Sequence, residues 1–183
     1  ARREFIRQMK MTVNQLKNHP SICYWTIFNE GWGQFDSDAV YAQFIKLDDT
    51  RFIDTTSGWF RRKETQVDSR HVYFRPVKLK AADKPLVLSE FGGYTYKPEG
   101  HVFNTEETYG YGKFESVEKY ADAVEKLYLT EILPAIDNGL CAAIYTQVSD
   151  IEDETNGILT YDRKICKLEE KRMLAIAEAL RLT

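Results

Sequence analysis

Cysteine is scarce in this sequence, and nowhere is there a stretch long and apolar enough to cross a membrane. Among 183 residues there are three cysteines, Cys23, Cys141 and Cys166. An odd count without CxxC spacing argues against a disulfide framework or a zinc site. Cys23 and Cys141 fall inside apolar, strand-like runs, so both are expected as buried, reduced thiols. No segment reaches the roughly 18 apolar residues of a membrane span. No signal peptide is visible at the start and there is no Asn-x-Ser/Thr sequon. The compartment is left open, with the cytoplasm slightly favoured. An excess of one charge is missing too: 25 Lys and Arg face 28 Asp and Glu, a net charge of −3, interspersed along the chain. That balance points away from nucleic acid and from an anionic membrane as partners. The absence of a GxGxxG or P-loop motif sets aside a nucleotide-binding α/β protein. There are no internal repeats, no low-complexity stretches and no linker that would split the chain.

What is present is a globular composition, 43% hydrophobic and 13% aromatic, in a chain long enough for one domain with a real core. Aromatic faces suit flat ligands such as sugar rings, and they suit cores equally. Two carboxylates organise the chain. Glu30 ends the run Ile22-Cys23-Tyr24-Trp25-Thr26-Ile27-Phe28-Asn29-Glu30, and Glu90 ends Pro85-Leu86-Val87-Leu88-Ser89-Glu90. Such continuous runs read as strands buried on both faces, as in parallel sheets. An acid at the tip of a buried strand is costly to place without a task. In a β/α barrel the carboxyl ends of the strands are where catalytic groups sit.

In chain order, residues 2–17 read as an amphipathic helix with Phe5, Ile6, Met9, Val13 and Leu16 on one stripe. No strand precedes it, so the chain reads as beginning partway through a βα unit. Asn18-His19-Pro20-Ser21 ends the helix. A strand over Ile22 to Phe28 follows, and then a helix from about 38 to 48 capped by Asp36 or Ser37. Strands are expected at Phe52 to Thr56, Val67 to Phe74 and Pro85 to Ser89, with a short, poorly defined helical or loop segment over Lys78 to Asp83. Gly92 to Glu115 reads as a long loop carrying six aromatics, Tyr94, Tyr96, Phe103, Tyr109, Tyr111 and Phe114. A loop of that length is usually functional. A helix from about 117 to 137 should be kinked or weakened by Pro134 and ended by Gly139. Leu140 to Val148 is the last strand. The acidic stretch Asp150 to Glu154 reads as a solvated loop, and a helix from about 168 to 181 closes the chain. Strands alternating with crossovers argue an α/β fold with a parallel sheet.

Hydrolysis of a glycosidic bond needs one carboxylic acid to protonate the leaving oxygen and a second carboxylate as nucleophile or as base for water. Two glutamates at the tips of two strands of one barrel would meet that need. The alternative is that both are strand-end caps or salt-bridge partners. The flanking residues bear on the choice. Asn18-His19-Pro20-Ser21-Ile22 through Phe28-Asn29-Glu30-Gly31-Trp32-Gly33 resembles glycoside hydrolase family 2, the β-galactosidase and β-glucuronidase family. So do Thr56-Ser57-Gly58-Trp59 and Ser89-Glu90-Phe91-Gly92-Gly93-Tyr94. So does Tyr145-Thr146-Gln147-Val148-Ser149-Asp150 through Gly157, followed by Thr160-Tyr161-Asp162.

The resemblance implies residues 1–183 as one partial (β/α)8 TIM-barrel domain, about strands four to eight with their helices, lacking N-terminal strands and β-sandwich domains. It implies a retaining β-glycoside hydrolase with a carbohydrate substrate. Glu30 would be the acid/base, Glu90 the nucleophile, Asn29 a contact to the sugar 2-hydroxyl, and Tyr73 the tyrosine that hydrogen-bonds the nucleophile. Retention implies carboxyl groups about 5–5.5 Å apart. His71 is expected at the mouth near the sugar, or else as a satisfied core histidine. Trp32 and Trp59 are expected as sugar-stacking platforms, or as packing under the loops. No cofactor or metal ligand is assigned; a divalent or monovalent cation is compatible with the chain but not indicated. Two departures stand out. Tyr145-Thr146-Gln147 occupies the place where many members carry a Trp, and Phe60 to Gln66 is basic where relatives often have Asp and Gly. The fewer strands than a full barrel lead to the expectation of self-association through exposed edges, or of pairing with the N-terminal domains, and of poor activity for the piece alone. The other class of reading is a non-catalytic carbohydrate-binding or structural remnant of such a barrel.

Overall fold

The first helix forms because its apolar residues recur at helical spacing, and the computed structural model, which describes residues 1–181, places it at α1, Arg2–Leu16. The chain divides into two compact units, one made of Ala1–His71 and Ala81–Ser89, the other of Val72–Lys80 and the chain from Glu90 onward.

In the first unit, Met9 and Val13 of α1 are buried with Phe28, Val40, Phe44 and Ile53, and Phe5 stacks on Phe28 at 5.0 Å between ring centroids. Phe28 belongs to β1, Tyr24–Asn29, which pairs in parallel with β2, Phe52–Ser57, in a register that sets Asn29 opposite Ser57. Parallel pairing is what strands joined by a helical crossover require. The crossover is α2, Ser37–Phe44. It starts after Asp36 in a left-handed conformation with no side-chain cap bond, so neither expected cap operates, and it ends before the expected boundary. The residues beyond serve another purpose. Asp48 accepts from the Trp25 indole at 2.9 Å and from Arg51 at 2.8 Å. Arg51 in turn donates to the carbonyls of Lys17, His19 and Ile22, tying the end of α1 to the approach to β1. β3, Asp68–Val72, neighbours the start of β4, Leu86–Gly92; the Asp68 N–H donates to the Pro85 carbonyl at 2.8 Å. Lys78 to Asp83 adopts no regular element.

In the second unit the end of β4 lies beside β7, Leu140–Thr146, with Phe91 set edge-on to Tyr145. The stretch from Gly92 to Glu115 is not structureless. It contains β5, Tyr94–Tyr96, paired in parallel with β6, Tyr111–Phe114. α3, Val117–Leu127, is capped by Ser116, whose hydroxyl accepts from the Lys119 N–H. A π turn over Tyr128–Ile132 leads into α4, Leu133–Asp137. Pro134 thus falls directly after the π turn, where the helical hydrogen-bond pattern already changes. α5, Glu170–Ala179, packs with α3 around Tyr120, Ala121, Val124, Leu168 and Ile176.

Three expectations are corrected. β1 is not buried on both faces: Phe28 is its one buried residue, while β2 is buried after its first position and β4 is buried apart from Glu90. An apolar run reports hydrophobicity and not whether another element covers it. For the same reason all three cysteines are exposed, Cys141 on a strand where Ile144 is 52% exposed as well. The acidic stretch is not simply solvated either. Asp150 is buried, accepts from the buried Lys167 ammonium at 2.7 Å and from the Gly157 N–H at 2.8 Å, and so fastens its loop. Burial pushes the Asp150 carboxyl up and the Lys167 ammonium down, each opposed by the other's charge.

Removing one member of a buried ion pair strands the other. Lys167→Met is expected to cost about 3–5 kcal/mol of stability. Urea unfolding checks this, and a loss below about 1 kcal/mol would show that the pair does not hold the loop.

Candidate functional site

Glu30 leaves β1 in a left-handed turn, φ 49°, with its N–H donating to the Ser57 carbonyl at 2.9 Å. Gly31 follows at φ 85°, where a Cβ would come within 2.3 Å of the Phe60 ring. The turn aims the Glu30 carboxyl at β3. There His71 is buried, its Nδ1 at 2.6 Å from Glu30 Oε1 and its Nε2 at 2.8 Å from the Ser57 hydroxyl. Gly58, at φ 84°, clears space for the ring: a Cβ there would lie 2.6 Å from His71 Nδ1. Ser57 also lies 3.1 Å from the Ser89 hydroxyl and 3.4 Å from that of Ser69. Ser69 and Ser89 are 2.5 Å apart, and Ser89 donates to the Arg70 carbonyl at 3.2 Å. Deeper in the same unit the buried Asp54 accepts from the Tyr24 hydroxyl at 2.8 Å. Burial pushes the Asp54 carboxyl up, against its hydrogen bonds; it pushes the Tyr24 phenol up too, with the Asp54 charge adding to the effect.

Glu90 is the one residue of β4 that is not fully buried, followed by Phe91 in the core. The Tyr73 hydroxyl donates to Glu90 Oε2 at 2.6 Å. Since a phenol has one proton, the Thr146 hydroxyl at 2.8 Å donates to Tyr73. Tyr111 stacks on the Tyr73 ring at 4.3 Å. Burial, and then the Glu90 hydrogen bond, push the Tyr73 phenol up, so it stays a neutral donor across the physiological range.

The structure therefore joins Glu30 with His71 within the first unit and Glu90 with Tyr73 within the second. His71 is buried between two hydrogen bonds. Asn29, Trp32 and Trp59 are exposed, Trp32 to 82% and Trp59 to 51%, so neither indole is packed under a loop. The sequence offers no reason to single out Ser57 or Thr146, which bond to His71 and to Tyr73 respectively. The one signal for Ser57 is that the strand Phe52–Ser57 is polar at successive positions and yet buried. A carboxylate held by a neutral phenol is suited to act as a nucleophile or charge stabiliser, and one held by an imidazole to exchange a proton. In the acidic stretch, Asp150 is taken by Lys167, Asp153 accepts from Asn104 and Glu154 accepts from Gln147.

Comparison with known proteins gives the family and the fold. Residues 1–173 match the family model described as glycosyl hydrolases family 2, TIM barrel domain. Among solved structures, the chain superposes on a β-D-glucuronidase from Dictyoglomus thermophilum with a TM-score of 0.65 and 16% identity, covering 98% of this chain and 35% of that one. A putative β-galactosidase from Bacteroides fragilis gives 0.61 and 15%, covering 97% and 31%. The β-glucuronidase of Parabacteroides merdae gives 0.58 and 15%, covering 99% and 28%. At these identities the likeness is one of fold, and the chain spans about a third of the length of these solved relatives. No curated protein sequence matches the chain.

The seat of His71 is open to a direct check. Gly58→Ala adds a Cβ at a positive φ and against the imidazole, and is expected to cost roughly 1–3 kcal/mol. Chemical denaturation measures it, and a change under about 0.5 kcal/mol would mean that Gly58 is not needed to house the ring.

Proposed function

The chain belongs to glycosyl hydrolase family 2, through its TIM barrel domain, and we propose that it carries the two catalytic glutamates of a retaining β-glycoside hydrolase of the β-galactosidase or β-glucuronidase kind. The whole chain is read as one partial barrel domain, with β1, β2, β3, β4 and β7 as strands four to eight. The observation that carries the proposal is the hydrogen bond from Tyr73 to Glu90 at 2.6 Å. A nucleophilic carboxylate has to stay ionised, and it has to present one oxygen to the anomeric carbon while the other is held. A half-buried phenol, raised in pKa and so never competing as an acid, meets both demands.

The scheme runs in two displacements. Glu90 attacks the anomeric carbon, and a bond forms from its carboxylate oxygen as the glycosidic bond breaks. Glu30, protonated, gives its proton to the leaving oxygen, and the aglycone departs as an alcohol or phenol. Glu30, now a carboxylate, takes a proton from a water that attacks the same carbon. The ester to Glu90 breaks, and the sugar leaves with its β configuration kept. Asn29 would meet the sugar 2-hydroxyl, and the exposed Trp32 and Trp59 offer faces on which a pyranose can stack.

In the full-length protein, Glu90→Gln is expected to lower kcat by at least about 1000-fold, because the nucleophile itself is lost. Tyr73→Phe is expected to cost roughly 100-fold through loss of one donor to a reacting charge. Kinetics on an aryl β-glycoside measure both, and proton NMR of the first-formed sugar should show the β-anomer. An α-anomer as first product, or near-full activity in Glu90→Gln, would overturn the proposal.

A further inference from the structure

Thr146 ends β7, and the two displacements give it no task. Its hydroxyl lies 2.8 Å from that of Tyr73, which in turn donates to Glu90 Oε2 at 2.6 Å. All three residues lie in the second compact unit. The ring between them is held by packing. Tyr111 stacks on it at 4.3 Å with 20° between the planes. Gly93, at φ 64°, makes room for both rings: a Cβ there would come within 2.6 Å of Tyr111 and 3.2 Å of Tyr73. Packing of this kind fixes where the phenol oxygen sits. It does not fix where the phenol proton points, because a hydroxyl turns about its C–O bond.

A phenolic O–H keeps to the ring plane, where the oxygen stays conjugated with the ring, so its proton has two orientations. A donor on one side of the oxygen fills that side and leaves the other for the proton. Tyr73 has one such proton, and a carboxylate can only accept, so that proton goes to Glu90. Thr146 is then the donor on the other side. Further contacts of Glu90 leave this direction unchanged. A phenol that accepts a hydrogen bond is also a stronger donor, since linked hydrogen bonds polarise one another. Thr146 thus turns the Tyr73 proton toward Glu90 and strengthens the bond it makes there.

We propose that Thr146 is a positioning residue for Glu90, acting through Tyr73, and that its effect falls on the second displacement. This rests on the reading of Glu90 as the nucleophile and goes beyond it in saying which step the Tyr73 hydrogen bond serves. In the first displacement the Glu90 carboxylate gives up its charge as its bond to the anomeric carbon forms. A donor to that charge is strongest before the step, so it does little to speed it. In the second displacement water adds to the anomeric carbon, the ester bond breaks, and its electron pair returns to Glu90, shared by both carboxylate oxygens. The charge now grows in the transition state, and a donor already aimed at it lowers the barrier.

The test uses the full-length protein on a 2,4-dinitrophenyl β-glycoside, whose leaving group departs readily, so that kcat reports ester breakdown and kcat/KM ester formation. Thr146→Val keeps the shape and loses the hydroxyl. It is expected to lower kcat about 10-fold and kcat/KM less than about 3-fold, so that KM falls as well. Thr146→Ser, which restores the hydroxyl, is expected to recover most of the loss, and Thr146→Ala takes the place of the valine variant if valine disturbs the fold. In a Tyr73→Phe background the Thr146 change is expected to lower kcat by less than about 2-fold, because the group it acts through is gone. An equal loss in kcat and kcat/KM, no loss, or the same loss with and without the Tyr73 hydroxyl would overturn the inference, since a merely structural threonine would not distinguish the two steps. The burst of 2,4-dinitrophenolate in Glu90→Gln separates the two levels. If that variant still gives a burst, the reading of Glu90 as nucleophile fails; if the burst is gone while the Thr146 variants show no split between kcat and kcat/KM, the inference alone fails.

Discussion

A carboxylate at the end of a strand and largely shielded from water must be met by a donor, and that constraint governs both halves of this chain. An unpartnered buried charge costs more than a small core can absorb. Glu30 is met by an imidazole and Glu90 by a phenol, each within its own compact unit. His71 and Tyr73 are two residues apart on and just beyond β3. One short segment thus supplies the partner of each glutamate, and the two partners differ in kind. An imidazole can exchange a proton at neutral pH. A phenol raised by burial cannot, and it remains a donor. The chemistry assigned to the glutamates follows from that difference more than from the glutamates themselves.

The polar interior around β2 is the structural cost of this arrangement. Asp54, Thr55, Thr56 and Ser57 are all buried, on a strand where an aliphatic run would pack more simply. Three of them find partners on neighbouring segments, Tyr24 for Asp54, the Glu64 carbonyl for Thr55, and His71 and Ser89 for Ser57, while the buried Thr56 hydroxyl has no hydrogen-bond partner among the described residues. A connected set of this sort fixes side-chain positions, which a site needs and a plain core does not. The Asp150 and Lys167 pair does the same for the loop after β7, the strand whose last residue, Thr146, donates to Tyr73.

Much of the frame was legible in the residues, for identifiable reasons. α1 and the continuous helical run of α3, the π turn and α4 repeat their apolar positions at helical spacing, and the observed bounds of each fall within a few residues of those expected. The runs ending in Glu30 and Glu90 read as strands because they are continuous and rich in β-branched and aromatic residues. Less legible were features that depend on distant partners. β5 and β6 are three and four residues long, too short for a period to show, and they pair with each other across a stretch that looks like loop. Cys23 and Cys141 sit in apolar runs, yet exposure is decided by what covers a strand and not by the strand. Asp150 looked like one acid of a solvated cluster because its partner, Lys167, is 17 residues away. Ser57 gave no signal as a lone hydroxyl, since its meaning lies in the ring it faces.

The account's central claim is that Glu90 is the residue that bonds to the sugar. A 2-deoxy-2-fluoro β-glycoside with a good leaving group would trap the covalent ester, and peptide mapping of the labelled full-length protein would locate it. The account predicts one label per chain, on the peptide Leu86–Gly92 and on Glu90 itself. A label on any other residue, or time-dependent inactivation with no covalent adduct, would contradict it.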